Sequence, residues 1–351
     1  MSDFPTRFRE ALGSGATLVE AARIDDSRLD FARSVVRGLS DEPRWLHCRF
    51  LYDAEGSHLF EEITRQPEYY PTRTEAAILE RHADDIRAIT GPLTLVELGS
   101  GYSVKTEHLL YAYSKFRETI RYIPVDVSVS ALRAANRSIS ESFADVEFTG
   151  IAGTYANAFP VFSQLSPQMI VFLGSTIGNF NEVEADLFWR RASEHLPPGD
   201  HFLLGVDLVK DPAVLEAAYD DAAGVTARFT KNYFARMNRE LGSDIDLSRI
   251  EHVATWNAER ERIEIRARFH TNQPIHVEPL GRTFQIAAGE EILIEISRKF
   301  RLPRLTAELA AYGLSTIGTY ADPKNWFALI LLRRDDASAP ASQLDSRQHQ
   351  S

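Results

Sequence analysis

The stretch Leu95-Val96-Glu97-Leu98-Gly99-Ser100-Gly101 decides how this chain is read. An apolar run ending in an acid and a Gly-x-Gly turn has the form of a buried parallel strand whose carboxyl end brings backbone up to a ligand. Gly99 and Gly101 permit φ > 0 and close backbone approach, and Ser103 to Lys115 reads as the helix that follows. A dinucleotide fingerprint needs a third glycine near Val104, and a P-loop needs Gly-Lys-Ser/Thr after four spacers; the sequence has neither. Two readings remain, an ordinary turn or a loop that receives the adenosine of S-adenosylmethionine.

The next strand bears on that choice. Tyr122 to Val125 is apolar and ends in Asp126, where a doubly wound sheet puts the carboxylate that takes ribose hydroxyls. Standing alone, Asp126 serves equally well as the N-cap of a helix from Val129 to Arg137. Paired with Glu97-x-Gly99-x-Gly101 it reads as a ligand residue.

Outward from this pair the chain alternates. Thr72-x-x-Glu75 has the form of a capping box for a helix through Ile89, with Ala76, Ile78, Leu79 and Ile86 at helical spacing. Strands are predicted at 93–98, 121–126, near 146–151, 169–174 and 201–207, with helices at 103–115, 129–142 and after Asn181. This alternation predicts an α/β fold with a parallel sheet. After Asp207 the rhythm changes: Asp211-Pro212 opens a helix to about Asp221, and a second runs from Val225 to Gly242. Arg262 to His270 and Glu291 to Phe300 then alternate as strands. A helix at 303–312 and the strand Trp326 to Leu332 resume the first style. The expected organisation is a helical segment 1–45, a nucleotide-binding domain 46–212 plus 300–334, an inserted α+β domain 213–299, and a disordered tail 335–351.

Composition fits a globular enzyme. The chain has 351 residues, 44% hydrophobic and 25% charged, and its net charge of −11 argues against nucleic acid or an anionic membrane as partner. No run approaches the roughly 18 apolar residues of a membrane span, and no secretory signal opens the chain. Cys48 is the single cysteine, so no intramolecular disulfide forms and a cytoplasmic location is expected. Cys48 with His47 and His58 lacks the spacing of metal ligands, so no metal is expected.

Longer strings then point to a family. Glu68 to Glu75, Val96 to Gly101 with Lys105-Thr106, Phe172 to Asn179, Asp207 to Asp211 and Tyr219 to Val225 together resemble the histidine Nα-methyltransferases of ergothioneine biosynthesis, in order from about Trp45 to Leu332. The resemblance implies a class I, Rossmann-like methyltransferase domain with an inserted substrate domain, and S-adenosylmethionine as cofactor. It implies transfer of three methyl groups to the α-amine of L-histidine, giving hercynine, in a monomer whose partners are small molecules. Tyr52, Gly99, Gly101, Lys105 and Asp126 match cofactor positions, and Tyr69, Asn179 and Tyr219 match those that hold the amino-acid amine and carboxylate. Glu295 and Ser297 match the positions that read the imidazole.

Local chemistry can be set beside each of these. Residues i and i+2 of a strand share a face, so Glu295 and Ser297 point together while Ile292, Ile294 and Ile296 face a core. A carboxylate accepts one ring N–H and a hydroxyl serves the other nitrogen; the alternative is a solvated polar strand face. Asn179 follows strand 169–174 at the ligand-binding edge of the sheet, or forms a turn after Gly178. Tyrosine faces suit a quaternary ammonium product, and Tyr70 and its neighbours serve equally as core.

Two positions depart from the family. Thr154-Tyr155 stands where an Asp-Phe pair usually meets the adenine, which leaves a hydroxyl without a carboxylate's charge assistance. Ile265 replaces a common methionine beside the imidazole at similar volume. Beside histidine methylation stand two alternatives, a family member acting on another amino acid such as tryptophan and a non-catalytic cofactor-binding sensor.

Overall fold

A computed structural model describes residues 3–21, 27–116 and 118–336. The chain opens with α1 (Phe4–Ser14), β1 (Leu18–Glu20), α2 (Ser27–Ser40), α3 (Ala54–Thr64) and α4 (Tyr70–Thr90). The alternating part runs β2 (Thr94–Leu98), α5 (Glu107–Ser114), β3 (Ile120–Asp126), α6 (Val129–Ser142), β4 (Val146–Phe148) and β5 (Gly150–Ala152). It continues through α7 (Tyr155–Phe162), β6 (Gln168–Phe172), α8 (Glu182–His195) and β7 (His201–Asp207). Next come α9 (Pro212–Tyr219), α10 (Val225–Leu241), β8 (Ile250–Asn257), β9 (Arg262–Phe269), β10 (Gln273–Val277), β11 (Arg282–Ile286) and β12 (Glu291–Arg298). The chain closes with α11 (Leu302–Ala310), β13 (Leu314–Ala321) and β14 (Phe327–Arg334).

Among the described residues nine strands form one sheet in the order β1-β5-β3-β2-β6-β7-β14-β13, with β4 beside β3. The strands from β1 to β7 pair in parallel, and β14 returns antiparallel to β7 with β13 antiparallel beyond it. Every residue of β2 and β6 is buried, as expected for strands covered on both faces. One face packs under α1, α7, α8 and α11 through Phe8, Phe159, Phe188 and Leu309; the other packs under α4, α5 and α6 through Leu79, Leu109 and Ile139. The expected α/β sheet is therefore present. Among the described residues no helix is long and apolar enough to cross a membrane.

Between β7 and α11 lies the inserted segment, a three-stranded antiparallel sheet β12-β9-β8 with the hairpin β10-β11 and the helices α9 and α10. Its own core joins Phe229, Tyr233, Phe269 and Ile292 to Phe31, Val35 and Leu39 of α2 and to Leu59 of α3. The first 45 residues thus divide: β1 pairs with β5 in the large sheet, while Leu46 N–H donates to Leu293 O at 2.7 Å and Leu293 N–H to Arg44 O at 3.1 Å, so residues 44–46 extend the insertion's sheet. The insertion leaves and returns side by side, because Phe300 N–H donates to Asp207 O at 2.9 Å and Val209 N–H to Phe300 O at 3.1 Å.

Several local expectations are corrected. The helix after β2 starts at Glu107, since Ser103 adopts φ 60° and breaks any helix through it. The strand near 146–151 is two, β4 and β5, and β13 lies between the helix and strand expected at 303–312 and 326–332. Helix α4 begins at Tyr70 with Pro71 in its first turn, so Thr72 caps nothing and Glu75 is no capping-box partner. Asp335 is held by its N–H to Gly313 O and by Ser315 Oγ, so the tail does not begin there; residues 337–351 lie outside the described residues.

Glu75 instead turns inward, fully buried, paired with Lys105 and accepting from Gly174 N–H at 2.8 Å. Gly205 on β7 makes the room, because a Cβ there would overlap Glu75 Oε1 and come within 3.3 Å of Phe327. Alanine normally improves on glycine in a strand. Gly205→Ala is instead expected to lower the unfolding free energy by roughly 1–3 kcal/mol through overpacking, seen as a lower urea midpoint at unchanged slope.

Candidate active site

The carboxyl ends of β2, β3, β6 and β7 open toward the insertion, and two groups of side chains meet there. The first surrounds the glycine turn. Gly99 and Gly101 take φ 69° and 51°, which only glycine adopts freely. Asp126, at the end of β3, accepts from Gly101 N–H at 2.9 Å through one oxygen and from Ser128 N–H at 2.8 Å through the other. The N-cap of α6 is Ser128, whose Oγ accepts from Ala131 N–H, so Asp126 does not cap that helix. Burial raises the Asp126 pKa against the pull of these amides. Each oxygen keeps a lone pair for a further donor.

Tyr155 packs edge-on against Phe172 at 5.4 Å and brings its hydroxyl so near the turn that a Cβ on Gly99 would lie 2.6 Å from it. Thr154 is the N-cap of α7: its hydroxyl donates to Asn157 Oδ1 at 2.7 Å and accepts from Asn157 N–H at 3.3 Å. Its proton is committed to the cap, leaving one lone pair. Ser100 Oγ is buried without a protein partner. A turn that only glycine can make, a carboxylate with spare lone pairs and an orphaned buried hydroxyl beside it fit an adenosine ligand. Below the turn, Glu97 accepts from Thr106 Oγ1 at 2.6 Å and from Tyr122 OH, and desolvation still pushes its carboxyl up to about 7. Lys105 pairs with Glu75, which the sequence reading did not foresee.

The second group straddles the insertion. Asn179 closes a 3₁₀ turn, Thr176–Asn179, and Gly178 lets that turn lie against β12, since a Cβ there would sit 2.8 Å from Arg298 O. Asn179 Nδ2 donates to Glu295 Oε1 at 3.1 Å. Buried Ile265 pairs across from Glu295 in the β9–β12 ladder. Desolvation pushes the Glu295 carboxyl up to about 7, opposed by Lys299 and by the Asn179 bond. Tyr219 meets Ser297 hydroxyl to hydroxyl at 2.8 Å, and its ring stands edge-on to Tyr69 at 6.0 Å. Tyr52 packs against Phe60 and Phe229. Burial raises the pKa of Tyr52, Tyr69 and Tyr219, so all three hold their protons.

Asn179, Glu295, Ile265, Ser297, Tyr219 and Tyr69 thus assemble, as do Gly99, Gly101, Asp126 and Tyr155. The sequence reading missed a buried ionic cluster beneath them. Lys299 donates to Tyr219 OH and to Ser297 Oγ, both at 2.8 Å, and pairs with Asp207 at 2.8 Å. Asp207 also receives Tyr70 OH at 2.8 Å and Lys210 at 2.5 Å. A signal was present: the alternation that unites Glu295 and Ser297 reaches Lys299 at the next step. Among the described residues no group of three or more His, Cys, Asp or Glu side chains could hold a metal ion.

Comparison with known proteins bears on what this site does. Residues 31–334 match the family described as "Histidine-specific methyltransferase, SAM-dependent". The chain is 45% identical over 310 residues to the histidine N-alpha-methyltransferase of Mycolicibacterium smegmatis, covering 88% of this chain and 97% of that one. It is 42% identical over 307 residues to the protein of the same name from Mycobacterium tuberculosis, covering 88% and 96%. Ergothioneine biosynthesis protein 1 of Neurospora crassa is 35% identical over 207 residues, which is 58% of this chain and 24% of that protein.

The two raised carboxyls carry a pH signature. Each has a folded pKa of about 7 against an ordinary 4.5, so the folded state binds more protons in between and stability falls as pH rises through that window. Glu97→Gln and Glu295→Gln should each remove part of this decline, so that the stability of variant relative to parent grows from about pH 4.5 to about pH 7. Urea unfolding across the range checks it; parallel curves for parent and variants would contradict the assigned desolvation.

Proposed function

Since this chain belongs to the histidine-specific, S-adenosylmethionine-dependent methyltransferase family, we propose that it methylates the α-amine of L-histidine three times, giving hercynine for ergothioneine biosynthesis. The observation that carries this reading is Glu295 and Ser297 side by side on β12, with Asn179 bonded to one and Tyr219 to the other. A cofactor-binding sensor needs no such paired polar lining. A cytoplasmic enzyme with small-molecule partners accords with the single cysteine and the negative net charge.

In this reading S-adenosylmethionine supplies an electrophilic methyl on a sulfonium. Asp126 accepts ribose hydroxyls with its spare lone pairs, and the Gly99–Gly101 turn admits the adenosine. Asn179 holds the amine through its amide oxygen while its N–H stays on Glu295. Glu295 accepts one ring N–H and Ser297 serves the other nitrogen, with Ile265 against the ring. The amine reacts as a free lone pair, and its proton does not pass to a tyrosinate, because Tyr52, Tyr69 and Tyr219 stay protonated. Their faces stabilise the growing cation by roughly 0.5–2 kcal/mol. Positioning supplies much of the acceleration.

Asp126→Ala should weaken S-adenosylmethionine binding by about 1.5–3 kcal/mol, the value of a hydrogen bond to a charged group. Asn179→Ala should cut turnover strongly while leaving cofactor affinity near the parent's. Calorimetry with S-adenosylhomocysteine beside steady-state rates separates the two. Equal loss of cofactor and histidine affinity in Asn179→Ala would make that residue structural.

A polar ring is discriminated strongly from analogues that leave buried polar groups unpaired, by up to ~10⁴-fold. Glu295→Ala with Ser297→Ala should therefore abolish the preference for histidine over phenylalanine in competition assays followed by mass spectrometry. The same assay on the parent counts methyl groups, and accumulation of a monomethyl product without further transfer would overturn trimethylation.

A further inference from the structure

Lys299 is fully buried and its charge has no role in the chemistry above. An ammonium offers three N–H donors. Tyr219 OH, Ser297 Oγ and Asp207 Oδ2, each at 2.8 Å, take all three, so none is left for a ligand. Both hydroxyls therefore accept from Lys299, and they also lie 2.8 Å from each other. One of them must donate to the other. That leaves one hydroxyl proton of the pair to present outward. The phenol is the stronger acid and the alkyl hydroxyl the better acceptor, so Tyr219 donates to Ser297 and the outward proton belongs to Ser297.

We propose that Lys299 is a positioning residue that sets the direction of the hydroxyl bonds in Tyr219 and Ser297, so that the site presents one acceptor, Glu295, and one donor, Ser297, and takes histidine with a neutral imidazole. This rests on the reading that Glu295 and Ser297 meet the ring. An imidazolium has two N–H donors and no acceptor. It would point its second N–H at a serine whose proton already faces it, with the Lys299 charge directly behind. Asp207 holds the ammonium in place, and Tyr70 and Lys210 complete its shell. Burial lowers the Lys299 pKa while Asp207 and Glu295 draw it back up, so the carboxylates sustain the charge on which the hydroxyl directions depend.

Two measurements test this. In the first, parent, Lys299→Met, Ser297→Ala and the double variant compete histidine against a pyrrolylalanine, which keeps a ring N–H and lacks the acceptor nitrogen. The parent should prefer histidine at least a hundredfold. Lys299→Met should lose tenfold or more of that ratio with cofactor affinity unchanged, and the double variant should match Ser297→Ala alone. A Lys299→Met enzyme with the parent's ratio, or losses that multiply in the double variant, overturns the role of Lys299. A Ser297→Ala enzyme with the parent's ratio overturns instead the reading of the imidazole on which the proposal rests.

The second measurement needs no Lys299 variant and stands if Lys299→Met does not fold. Ring-¹⁵N histidine bound to the parent enzyme with S-adenosylhomocysteine should show one protonated and one unprotonated nitrogen near neutral pH. Ser297→Ala should shift the unprotonated resonance. Two protonated nitrogens in the parent complex overturn the proposal.

Discussion

The ion pair between Asp207 and Lys299 is the joint on which the site depends. Asp207 ends β7 of the large sheet and Lys299 follows β12 of the insertion, and the backbone bonds between residues 207–209 and Phe300 bring the two ends together. A carboxylate and an ammonium this deeply buried are costly unless every donor and lone pair is used. Here they are used: Tyr70 and Lys210 complete the shell of Asp207, and two hydroxyls complete that of Lys299. Removing Asp207 would leave Lys299 without its bonded carboxylate, whereas Asp207 would keep Lys210 if Lys299 were lost, and the pair ties the insertion to the large sheet. That docking in turn sets the spacing between Asn179, which belongs to the large sheet, and Glu295, which belongs to the insertion.

A second buried carboxylate, Glu75, performs the same service behind the glycine turn. It reaches from α4 past the gap left by Gly205 to hold Gly174 N–H and Lys105. Lys105 and Glu97 lie on either side of the turn, and Thr106 ties Glu97 to the start of α5. The resemblance implied that Lys105 meets cofactor; its ammonium pairs with Glu75, which takes one of its three donors.

How much of this was legible follows from what leaves a local trace. The β2 turn and Asp126 were readable because a buried parallel strand is a continuous apolar run and a tight turn needs glycine. The face shared by Glu295 and Ser297 was readable from strand periodicity, but the expectation that Ile292 faces the other way fails, because the bulge between Leu293 and Glu295 shifts the alternation and puts Ile292 on their face. Glu75 was misread because Thr-x-x-Glu is also a capping-box pattern, and only its three-dimensional neighbours, Gly205 and Gly174, show that it turns inward. β1 is three residues long and draws its stability from pairing with β5, which no local pattern records. The split of the first 45 residues between two cores escaped for the same reason: α2 is amphipathic, and nothing in its sequence says which apolar surface covers it. Lys299 was missed although its register was available, because a lysine in a strand is ordinarily a solvent-facing residue.

The division of labour across the junction limits how such an enzyme can change substrate. The glycine turn, Asp126 and Asn179 sit on elements of the large sheet, whose packing extends through both of its cores. Ile265, Glu295 and Ser297 sit on β9 and β12 of the three-stranded sheet, on the face that also carries Ile263, Ala267 and Ile292, because the bulge between Leu293 and Glu295 shifts the alternation. On the proposed reading, a substitution at Ile265 alters what the ring meets, while the glycine turn and Asp126 keep their packing on the large sheet. Lys299 is the exception, since its ammonium bonds Tyr219 and Ser297 and the docking carboxylate of Asp207 at once. Losing Lys299 would leave Asp207 with Lys210 and Tyr70, whereas losing Asp207 would leave the buried Lys299 ammonium with two hydroxyls and no bonded carboxylate.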